Sequence, residues 1–478
     1  MKDHYEYLIG GKWRGSDENL AVRFPYTGNV VSRVSVPGER DLDDATAAAE
    51  RAFAVTRKLP SHTRSRILSR LADGIHSRAA ELAEVLVLEG GKTRKFAAAE
   101  VARAEETIRI SAEEATRIGG EILPLDRTPD TEGRTGFLRR FPVGPVLGIV
   151  PFNFPLNLAC HKLGPAIAAG NPVILKPASA TPVSALILGE LAIEAGVPEG
   201  AVSVLPCPGI LAERMAIDPR IAYISFTGSC AVGWHLREIA GRKKIGLELG
   251  GNAAAIVHED ANLEYAAGRI VTGGFVNAGQ VCISVQRVLV HRPVYDRMRA
   301  LILAGTQGLN VGDPRDPACD VGPMIDEGKA REAEEKVREA ATRGARVLAG
   351  GTRTGTLFTP AVLEGTTPDM RVNREEVFAP VISLVPYDSF GEALRMVNES
   401  GFGLQAGIFT RDMNRAMQAF EELDVGGVII NDIPTFRADV MPYGGVKGSG
   451  TGREGPRYAI EAMTEPRLMV INRPRGSE

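Results

Sequence analysis

The chain of 478 residues and 51.1 kDa is long enough for two or three domains with a large core. Its composition, 44% hydrophobic and 24% charged, is that of an ordinary globular protein. The formal net charge of −3, with both signs interspersed, leaves no basic block for nucleic acid or a membrane surface, so we expect neither partner.

The N-terminal segment has no positively charged stretch followed by an apolar core, so we predict no signal peptide and expect a cytoplasmic protein. No apolar run reaches the roughly 20 residues that a membrane span requires. From Asp41 to Glu114, apolar residues recur at spacings of three and four, which predicts a series of helices. One helix is expected to end at Gly90-Gly91, since glycine commonly terminates helices.

The next region alternates between short β-branched runs and helix-like stretches. The runs GPVLGIVPFNFP, GNPVILKPAS, AVSVLP and IAYISFTGS each end in Gly, Pro, Asn or Ser. Strands alternating with helices are typical of a parallel, doubly wound sheet, in which ligands bind beyond the carboxyl ends of the strands. After Gly250-Gly251 the alternation resumes, from AAAIVHED to GGVIIND, which predicts a second α/β domain.

A polar stretch from Gly120 to Pro142 interrupts the first domain and has the pattern of a β-hairpin arm. The tail, EPRLMVINRP, has the pattern of a strand that could pair with this arm. We expect the arm and the tail near Arg467 to Asn472 to pair between subunits, because an unpaired edge strand is otherwise a liability.

Five cysteines are spread along the chain: Cys160, Cys207, Cys230, Cys282 and Cys319. Their odd number and wide spacing argue against a disulfide framework. No Cys-x-x-Cys or His-x-x-x-His spacing occurs, which argues against a zinc site, so we predict no metal. Cys282, between a Gly-Gln turn and an apolar run, is therefore either a small core residue or a nucleophile.

Polar residues follow several of the predicted strands. Asn153 in PFNFP could donate a hydrogen bond to a developing oxyanion. Lys176 and Ser179 in LKPAS could reach ribose hydroxyls or a 2′-phosphate. Gly228 and Ser229 in FTGSCAVG lie where a strand becomes a helix, and such a turn can bind phosphate. Each motif, taken alone, is also compatible with an ordinary turn.

Glu248 in LELGGN lies in an apolar setting before a glycine pair. A partly desolvated carboxylate has a raised pKa and suits general-base catalysis. A surface glutamate is the alternative that this motif alone leaves open.

In combination the motifs are far more specific. The order PFNFP, KPAS, FTGS, ELGGN, GQVCIS, EEVFAP and PYGGVKGSGTGREG resembles that of the aldehyde dehydrogenase superfamily over nearly the whole chain. The resemblance implies an α/β fold with three parts: a parallel-sheet NAD(P)-binding domain (1–119 and 143–251), an α/β catalytic domain (252–445), and bridging segments for oligomerisation (120–142 and 446–478). It also implies a homodimer or homotetramer.

The resemblance implies catalytic roles. Cys282 matches the family's nucleophile, Glu248 its general base, and Asn153 the residue that binds the oxyanion together with the backbone N–H of Cys282. The thiolate would form a tetrahedral adduct, from which hydride leaves, and Glu248 would activate the water that hydrolyses the resulting thioester. Because a thiol with a pKa of about 8.5 is mostly protonated at neutral pH, Glu248, a helix N-terminus or the bound cofactor must assist ionisation.

Other matches concern the cofactor, NAD or NADP. Lys176 and Glu376 match residues that hold the two riboses, and Phe378 matches one that flanks the nicotinamide. In the family pattern, a glutamate three residues after the ribose lysine selects NAD; Ser179 stands there, so we expect use of both cofactors. The full set assigned to cofactor binding is Pro151, Lys176, Ser179, Gly209, Phe226, Gly228, Ser229, Gly233, Glu376 and Phe378.

Within the superfamily, the motifs most resemble the lactaldehyde and glycolaldehyde dehydrogenase group, whose relatives also oxidise succinate semialdehyde and phosphono- or sulfo-aldehydes. We therefore expect a small hydroxylated or anionic aldehyde as substrate. Candidate anion-binding residues are Arg103, His161 and Arg437. Their alternatives are a helix-surface charge, a core histidine and a loop charge, respectively.

Two other functions stay open at this point. A CoA-acylating semialdehyde dehydrogenase would not need a general base, so Glu248 argues against it. A non-catalytic structural relative would not need Cys282, Glu248 and Asn153 together.

Overall fold

The structure, a computed structural model, describes residues 1–473. The end of the predicted tail strand at Pro474, and with it residues 474–478 of the predicted bridging segment, lie outside the described residues. None of the helices within residues 1–473 combines the length and the apolar character needed to cross a bilayer.

The helices follow the predicted pattern. The early helical region divides into four helices, and Gly91, directly after the third, has a left-handed φ of 66°, as the predicted glycine stop requires. The α-helices are α1 (Glu39–Thr56), α2 (Ser61–Ser77), α3 (Ala79–Gly90), α4 (Arg94–Glu114), α5 (Pro155–Ala169), α6 (Val183–Glu194), α7 (Gly209–Ile217), α8 (Cys230–Ile239), α9 (Leu263–Phe275), α10 (Tyr295–Gln307), α11 (Glu327–Thr342), α12 (Arg371–Arg374), α13 (Phe390–Asn398), α14 (Met413–Glu422) and α15 (Pro456–Ala462).

The strands are short and most are buried. In chain order they are β1 (His4–Tyr5), β2 (Tyr7–Ile9), β3 (Lys12–Arg14), β4 (Asn19–Arg23), β5 (Val30–Ser35), β6 (Gly120–Pro124), β7 (Arg134–Pro142), β8 (Val146–Ile149), β9 (Val173–Lys176), β10 (Val202–Val204), β11 (Tyr223–Thr227), β12 (Lys244–Glu248), β13 (Ala254–Val257), β14 (Arg287–His291), β15 (Arg346–Ala349), β16 (Arg353–Thr354), β17 (Leu357–Phe358), β18 (Ala361–Glu364), β19 (Val381–Tyr387), β20 (Phe402–Gly403), β21 (Gln405–Phe409), β22 (Gly427–Ile430), β23 (Val446–Lys447), β24 (Gly450–Thr451) and β25 (Thr464–Asn472).

The first large sheet has the strand order β24-β12-β11-β8-β9-β10-β2-β3. Its five strands from β12 to β10 are parallel, and β8 to β11 correspond to the four runs predicted from the sequence. Helices α2 to α6 share a hydrophobic core with one face of this sheet, and α1, α7 and α8 share a core with the other. The predicted doubly wound arrangement is therefore confirmed.

The second large sheet has the order β15-β18-β19-β14-β13-β21-β22, in which only the edge strand β15 is antiparallel. Helices α9 to α11 pack on one face and α13 and α14 on the other. This is the second α/β unit predicted from the alternation of strands and helices after Gly251.

The arm forms the hairpin β6–β7, and β25 extends it to a three-stranded sheet of order β25-β7-β6. Strand β25 pairs with β7 of the same chain, from Thr464 opposite Pro142 to Asn472 opposite Arg134. The prediction that arm and tail pair between subunits is therefore wrong, because the end of α15 brings the tail directly alongside the arm. Residues 446–463, also assigned to the bridging segments, contribute β23 beside β20 and β24 to the first sheet.

Parallel strands bring distant motifs to one edge of the first sheet. Asn153 follows β8, Lys176 ends β9, Gly228 follows β11 and Glu248 ends β12. Cys282 precedes β14 of the second sheet, so the amino edge of that sheet faces the carboxyl edge of the first. The fold thus places the predicted site at the junction of the two sheets.

Candidate active site

A cavity of about 830 Å³ lies at this junction. Its wall contains the three predicted catalytic residues, Asn153, Glu248 and Cys282. The wall also contains Arg103 and Arg437, together with all predicted cofactor residues except Gly233. One continuous cavity therefore joins the residues predicted for catalysis, cofactor binding and anion recognition.

The segment that carries Cys282 has an unusual backbone. Asn277 and Ala278 have φ angles of 51° and 53°, and Gly279 follows with 68°. Left-handed conformations cost about 1–3 kcal/mol at non-glycine residues, so surrounding contacts must maintain them. The side chain of Gln280 donates a hydrogen bond of 3.2 Å to the carbonyl of Asn277. This tight turn ends three residues before Cys282 and directs the thiol to the cavity wall.

Two N–H groups could hold an oxyanion beside the thiol. The amide Nδ2 of Asn153 donates to the carbonyl of Gln280 at 2.9 Å, and because a carboxamide has two N–H groups, one remains. The backbone N–H of Cys282 has no acceptor within residues 1–473. Lys92 Nζ, 2.7 Å from the carbonyl of Asn153, fixes the loop from below.

Glu248 ends β12 inside the cavity and is 5% exposed. Neither of its carboxylate oxygens has a hydrogen-bond partner in the described part of the chain. Burial raises the pKa of Glu248 well above its usual value, and the charge of Glu454 raises it further. A Cβ on Gly444 would lie 2.7 Å from Glu248 Oε1, so a glycine there leaves room for the carboxyl group. Glu248 therefore lies in an environment that raises the affinity of its carboxylate for a proton, as general-base catalysis requires.

Glu454 is a buried carboxylate of the opposite kind. It lies 3.0 Å from both Lys162 Nζ and Arg437 Nη2, and accepts a 3.0 Å hydrogen bond from Thr227. Burial alone would raise the pKa of Glu454, but Lys162 and Arg437 together hold it far below its usual value. The pKa of Glu454 therefore lies below that of Glu248, and Glu454 ionises first as the pH rises.

Arg103 and His161 meet at Asp439. Arg103 binds Asp439 through Nε at 3.0 Å and Nη2 at 2.7 Å, and 30% of its side chain is exposed. His161 Nε2 lies 2.8 Å from Asp439 Oδ1, is buried, and does not reach the cavity wall. Burial and the charge of Arg437 lower the pKa of His161. His161 thus occupies the core position that was its alternative interpretation, whereas Arg103 and Arg437 line the cavity.

The two predicted ribose residues, Lys176 and Glu376, both line the cavity. Lys176, at the end of β9, is buried, and burial lowers its pKa. Burial raises the pKa of Glu376 to about 7, although the backbone N–H of Gly251 donates to it at 3.1 Å. A Cβ on Gly250 would lie 2.2 Å from the Glu376 carboxylate, so glycine is required for this approach.

Two helices begin at the cavity wall. Gly209 is the first residue of α7, and Ser229 precedes α8, so backbone N–H groups of both helices point towards the cavity. Gly233, predicted with this turn, lies behind the wall, where a Cβ would meet Leu249 at 2.3 Å. Gly233 therefore allows α8 to pack closely against Leu249, the residue that follows β12. Phe378, with a left-handed φ of 51°, places its ring edge-on to Phe152 at 5.9 Å.

Several residues of the site escaped the sequence analysis. Tyr443 Oη lies 2.8 Å from Cys282 Sγ, and Glu454 holds Arg437. Both stand in the PYGGVKGSGTGREG motif, so the signal was present although nothing local assigned them a partner. A second buried ion pair, between Lys92 and Glu100, lies beneath Asn153 and had no sequence signal.

A histidine cluster lies away from the cavity, at the carboxyl ends of β13 and β14. Potential ligand atoms of His258, Glu259 and His291 lie within 4.8 Å of one another. The two imidazole rings are stacked at 4.3 Å with an interplanar angle of 13°. Because imidazole lone pairs lie in the ring plane, nearly parallel rings do not direct them to a common point, and we assign no metal to this cluster.

Comparison with known proteins agrees with this geometry. The model of the aldehyde dehydrogenase family matches residues 13–469. Among curated relatives, the 3-sulfolactaldehyde dehydrogenase of Priestia aryabhattai is 46% identical over 469 residues, covering 98% of each chain.

Solved structures of similar proteins have the same fold. An aldehyde dehydrogenase from Physcomitrella patens, in complex with the reaction product succinate, matches with a TM-score of 0.97 and 40% identity over 99% of both chains. The glyceraldehyde-3-phosphate dehydrogenase of Methanocaldococcus jannaschii, complexed with NADP, matches with a TM-score of 0.92 and 37% identity, covering 96% of this chain and 100% of that one.

Glu454→Gln is expected to destabilise the protein by about 3–5 kcal/mol at neutral pH, because it leaves Lys162 and Arg437 buried without their counter-charge. The depressed pKa of Glu454 means that its stabilisation is present above about pH 4.3, the ordinary value, and is lost as the pH falls below it. The difference between variant and wild type should therefore shrink in acid. Urea unfolding over a pH series measures this.

The matched control is Glu461→Gln, whose carboxylate is 45% exposed and lies 3.7 Å from Arg457 on the same helix. It should change stability by less than about 1 kcal/mol. An equal loss in both variants would contradict the assigned role of Glu454.

Proposed function

Because the chain belongs to the aldehyde dehydrogenase family, we propose that it oxidises a small hydroxylated aldehyde bearing an anionic group to the carboxylic acid. Members of the family are oxidoreductases, and this chain is an aldehyde dehydrogenase. The observation that supports the substrate class is the presence of Arg103 and Arg437 on the wall of the cavity that contains Cys282.

The charges around the substrate end of the cavity favour an anion. Three cations, Arg103, Lys162 and Arg437, face two carboxylates, Asp439 and Glu454, whose pKa values are both held low. While Glu248 is protonated, one positive charge is left over. A substrate with a single anionic group would balance it, provided that the group reaches Arg103, which is the more exposed of the two cavity arginines.

The similar proteins support the same substrate class. One is named for a sulfonated lactaldehyde, and another was solved with the dicarboxylate succinate. A sulfonate and a carboxylate share the ability to accept paired hydrogen bonds from a guanidinium group. The hydroxyl group expected from the lactaldehyde resemblance would find polar partners nearby in Asn157 and Thr435, which also line the cavity.

The cavity also fits NAD or NADP. The helix N-termini at Gly209 and Ser229 would provide N–H groups for a pyrophosphate, and Lys176 and Glu376, which line the same cavity, would bind ribose hydroxyls. The Ser179 hydroxyl has no partner in residues 1–473 and lines the same wall, so it is free to bind a 2′-phosphate. When bound, the cofactor supplies the hydride acceptor.

The residues of this chain perform the remaining steps. The Cys282 thiolate adds to the aldehyde carbon, and the resulting oxyanion receives hydrogen bonds from Asn153 Nδ2 and the backbone N–H of Cys282. Loss of hydride from this adduct leaves a thioester on Cys282. Glu248 then accepts a proton from water, which attacks the thioester and releases the carboxylic acid and the thiol.

The alternatives from the sequence analysis predict different chemistry. A CoA-acylating enzyme would release the acyl group to a thiol and would have no use for the unpartnered, buried Glu248. A non-catalytic relative would have no reason to keep the strained turn before Cys282. The product formed from the aldehyde tests both alternatives: an acyl-CoA would indicate the first, and no product the second.

We also propose self-association through the three-stranded sheet. Both of its outer strands lack a partner strand within residues 1–473, and exposed apolar side chains lie along β25. The exposed residues are Leu468, Met469, Val470 and Ile471. The homodimer or homotetramer, like the cytoplasmic location, stays a prediction.

Arg103→Met is expected to raise KM for anionic aldehydes about 10- to 100-fold, because a hydrogen bond between charged groups contributes roughly 1.5–3 kcal/mol. KM for neutral lactaldehyde should change little. The measurement is steady-state kinetics with sulfolactaldehyde, succinate semialdehyde and lactaldehyde. Arg109→Met, on the same helix but paired on the surface with Glu105, is the control. An equal rise for all three aldehydes would contradict an anion-binding role.

Glu248→Gln should give a burst of reduced cofactor and then stall, because the thioester forms but water is not activated. In the wild type, deacylation should accelerate as the pH rises through the raised pKa of Glu248, since only the ionised carboxylate is a base. Stopped-flow absorbance measures both phases, and Cys282→Ser is the control without a burst. Relief of the stall by added CoA would favour the acylating alternative.

Ser179→Glu should weaken NADP binding about 10- to 100-fold through repulsion of the 2′-phosphate, and leave NAD little changed. Steady-state kinetics of both proteins with both cofactors test this. If the wild type already rejects NADP, another residue excludes the phosphate and the interpretation of Ser179 is wrong.

A further inference from the structure

We propose that Tyr443 is a catalytic residue that activates the nucleophile. Its phenolic hydroxyl donates a hydrogen bond to the Cys282 thiolate, and Arg437, which lies over the face of the Tyr443 ring, strengthens this bond. The inference rests on the proposed function, because an activated thiol is needed only if Cys282 is the nucleophile. The observations that support it concern the geometry around the thiol. No part of the sequence analysis assigned Tyr443 a role.

The thiol needs such help because its surroundings oppose ionisation. Burial is the largest influence on the pKa of Cys282 and raises it to about 11, whereas the hydrogen bond from Tyr443 lowers it. The charged groups that face it are Arg437, which favours the thiolate, and Glu248 and Glu376, which disfavour it when ionised. Glu248 is therefore no electrostatic aid to the thiolate.

A helix N-terminus was another aid to ionisation of the thiol that the sequence analysis allowed. Cys282 lies in a turn, and the element that follows it is the strand β14, so Cys282 is not itself at the N-terminus of a helix. Within residues 1–473, the hydrogen bond of 2.8 Å to Tyr443 Oη is the single one made by Sγ.

The hydroxyl of Tyr443 in turn depends on the sulfur of Cys282 for its hydrogen bond. Tyr443 is 2% exposed and packs with Val281, Ile283 and Leu404. Within the described chain, the Tyr443 hydroxyl forms one hydrogen bond, to Cys282 Sγ. Because an unpaired buried hydroxyl is costly, the bond to sulfur explains why a tyrosine can occupy this apolar cluster.

Arg437 makes the phenol a better donor. Its guanidinium carbon lies 3.8 Å from the centroid of the Tyr443 ring, and 7% of its side chain is exposed. A buried cation over the ring face stabilises negative charge on the phenol oxygen and therefore polarises its O–H bond. Glu454 holds Arg437 in place, and two backbone hydrogen bonds join Tyr443 to Glu454.

The proton balance of the step is simple. The S–H proton leaves to water in the cavity, and Tyr443 keeps its own proton. In the neutral pair the thiol can donate to the phenol oxygen, whereas after ionisation the phenol O–H turns and donates to sulfur. Hydrogen bonds to an ionised acceptor are shorter and roughly twice as strong as neutral ones, so the thiolate gains more than the thiol.

The test is the ionisation of Cys282 in Tyr443→Phe, which preserves the ring and the stacking of Arg437. Ultraviolet thiolate absorbance is titrated in the cofactor-free enzyme, with Cys282→Ser subtracted to remove the other four cysteines. The pKa of Cys282 should rise by about one to two units. Alkylation by iodoacetamide at neutral pH should slow about 3- to 10-fold, because the rarer thiolate is partly compensated by higher nucleophilicity.

Two further proteins complete the experiment. Tyr387→Phe removes another buried hydroxyl, bonded to His258 at 2.8 Å, and should leave the thiol titration unchanged. Replacement of Tyr443 by 3,5-difluorotyrosine, a more acidic phenol of nearly the same shape, should lower the pKa of Cys282 below that of the wild type. This second arm decides the matter if Tyr443→Phe does not fold.

No aldehyde is present in these titrations, so their outcome is separate from that of the substrate assays. A thiol pKa that moves neither in Tyr443→Phe nor with difluorotyrosine would overturn the proposal for Tyr443, whatever the substrate. A shifted thiol pKa in an enzyme that ignores anionic aldehydes would leave this proposal standing and refute the proposed substrate class.

Discussion

The ion pairs of Glu454 with Lys162 and Arg437 are the contacts on which the rest of the site depends. Lys162 lies on α5, which packs against the first sheet, whereas Arg437 lies in the loop that follows the second sheet. One carboxylate between them therefore ties the two α/β units together at the cavity. A buried carboxylate of this kind persists only with full compensation, which fixes the positions of both cations.

The charge of Glu454 also affects functional groups beyond its own ion pairs. It helps to keep Glu248 neutral, because a second anion near a buried carboxyl group is unfavourable. It also positions Arg437 where the guanidinium faces the cavity and lies over Tyr443 at once. The proposed base, the proposed anion-binding arginine and the thiol are thus coupled through one residue of the C-terminal motif.

The sequence predicted those strands and site residues that lie in short, recognisable motifs. Strands β8 to β11 followed from β-branched runs. Asn153, Glu248 and Cys282 meet in one cavity because each lies at, or within five residues of, the end of a strand. Tyr443 and Cys282 are 161 positions apart, and no local pattern indicates that a phenol and a thiol will meet. Pairing of β25 with β7 within one chain likewise depended on the direction in which α15 delivers the tail, which periodicity does not encode.

The distribution of charge implies an order of events in the cavity. Thiolate and carboxylate repel each other, so protonation of Glu248 favours the ionised form of Cys282 that attacks the aldehyde. Once the thioester has formed, the sulfur carries no charge and the repulsion is gone, which lowers the pKa of Glu248 at the moment when a base is needed. The charge of the thiolate passes to the oxyanion when sulfur adds to the aldehyde, and it leaves with the hydride when the thioester forms. Burial of both groups in one cavity therefore separates the nucleophilic and the hydrolytic steps in time, without movement of the backbone.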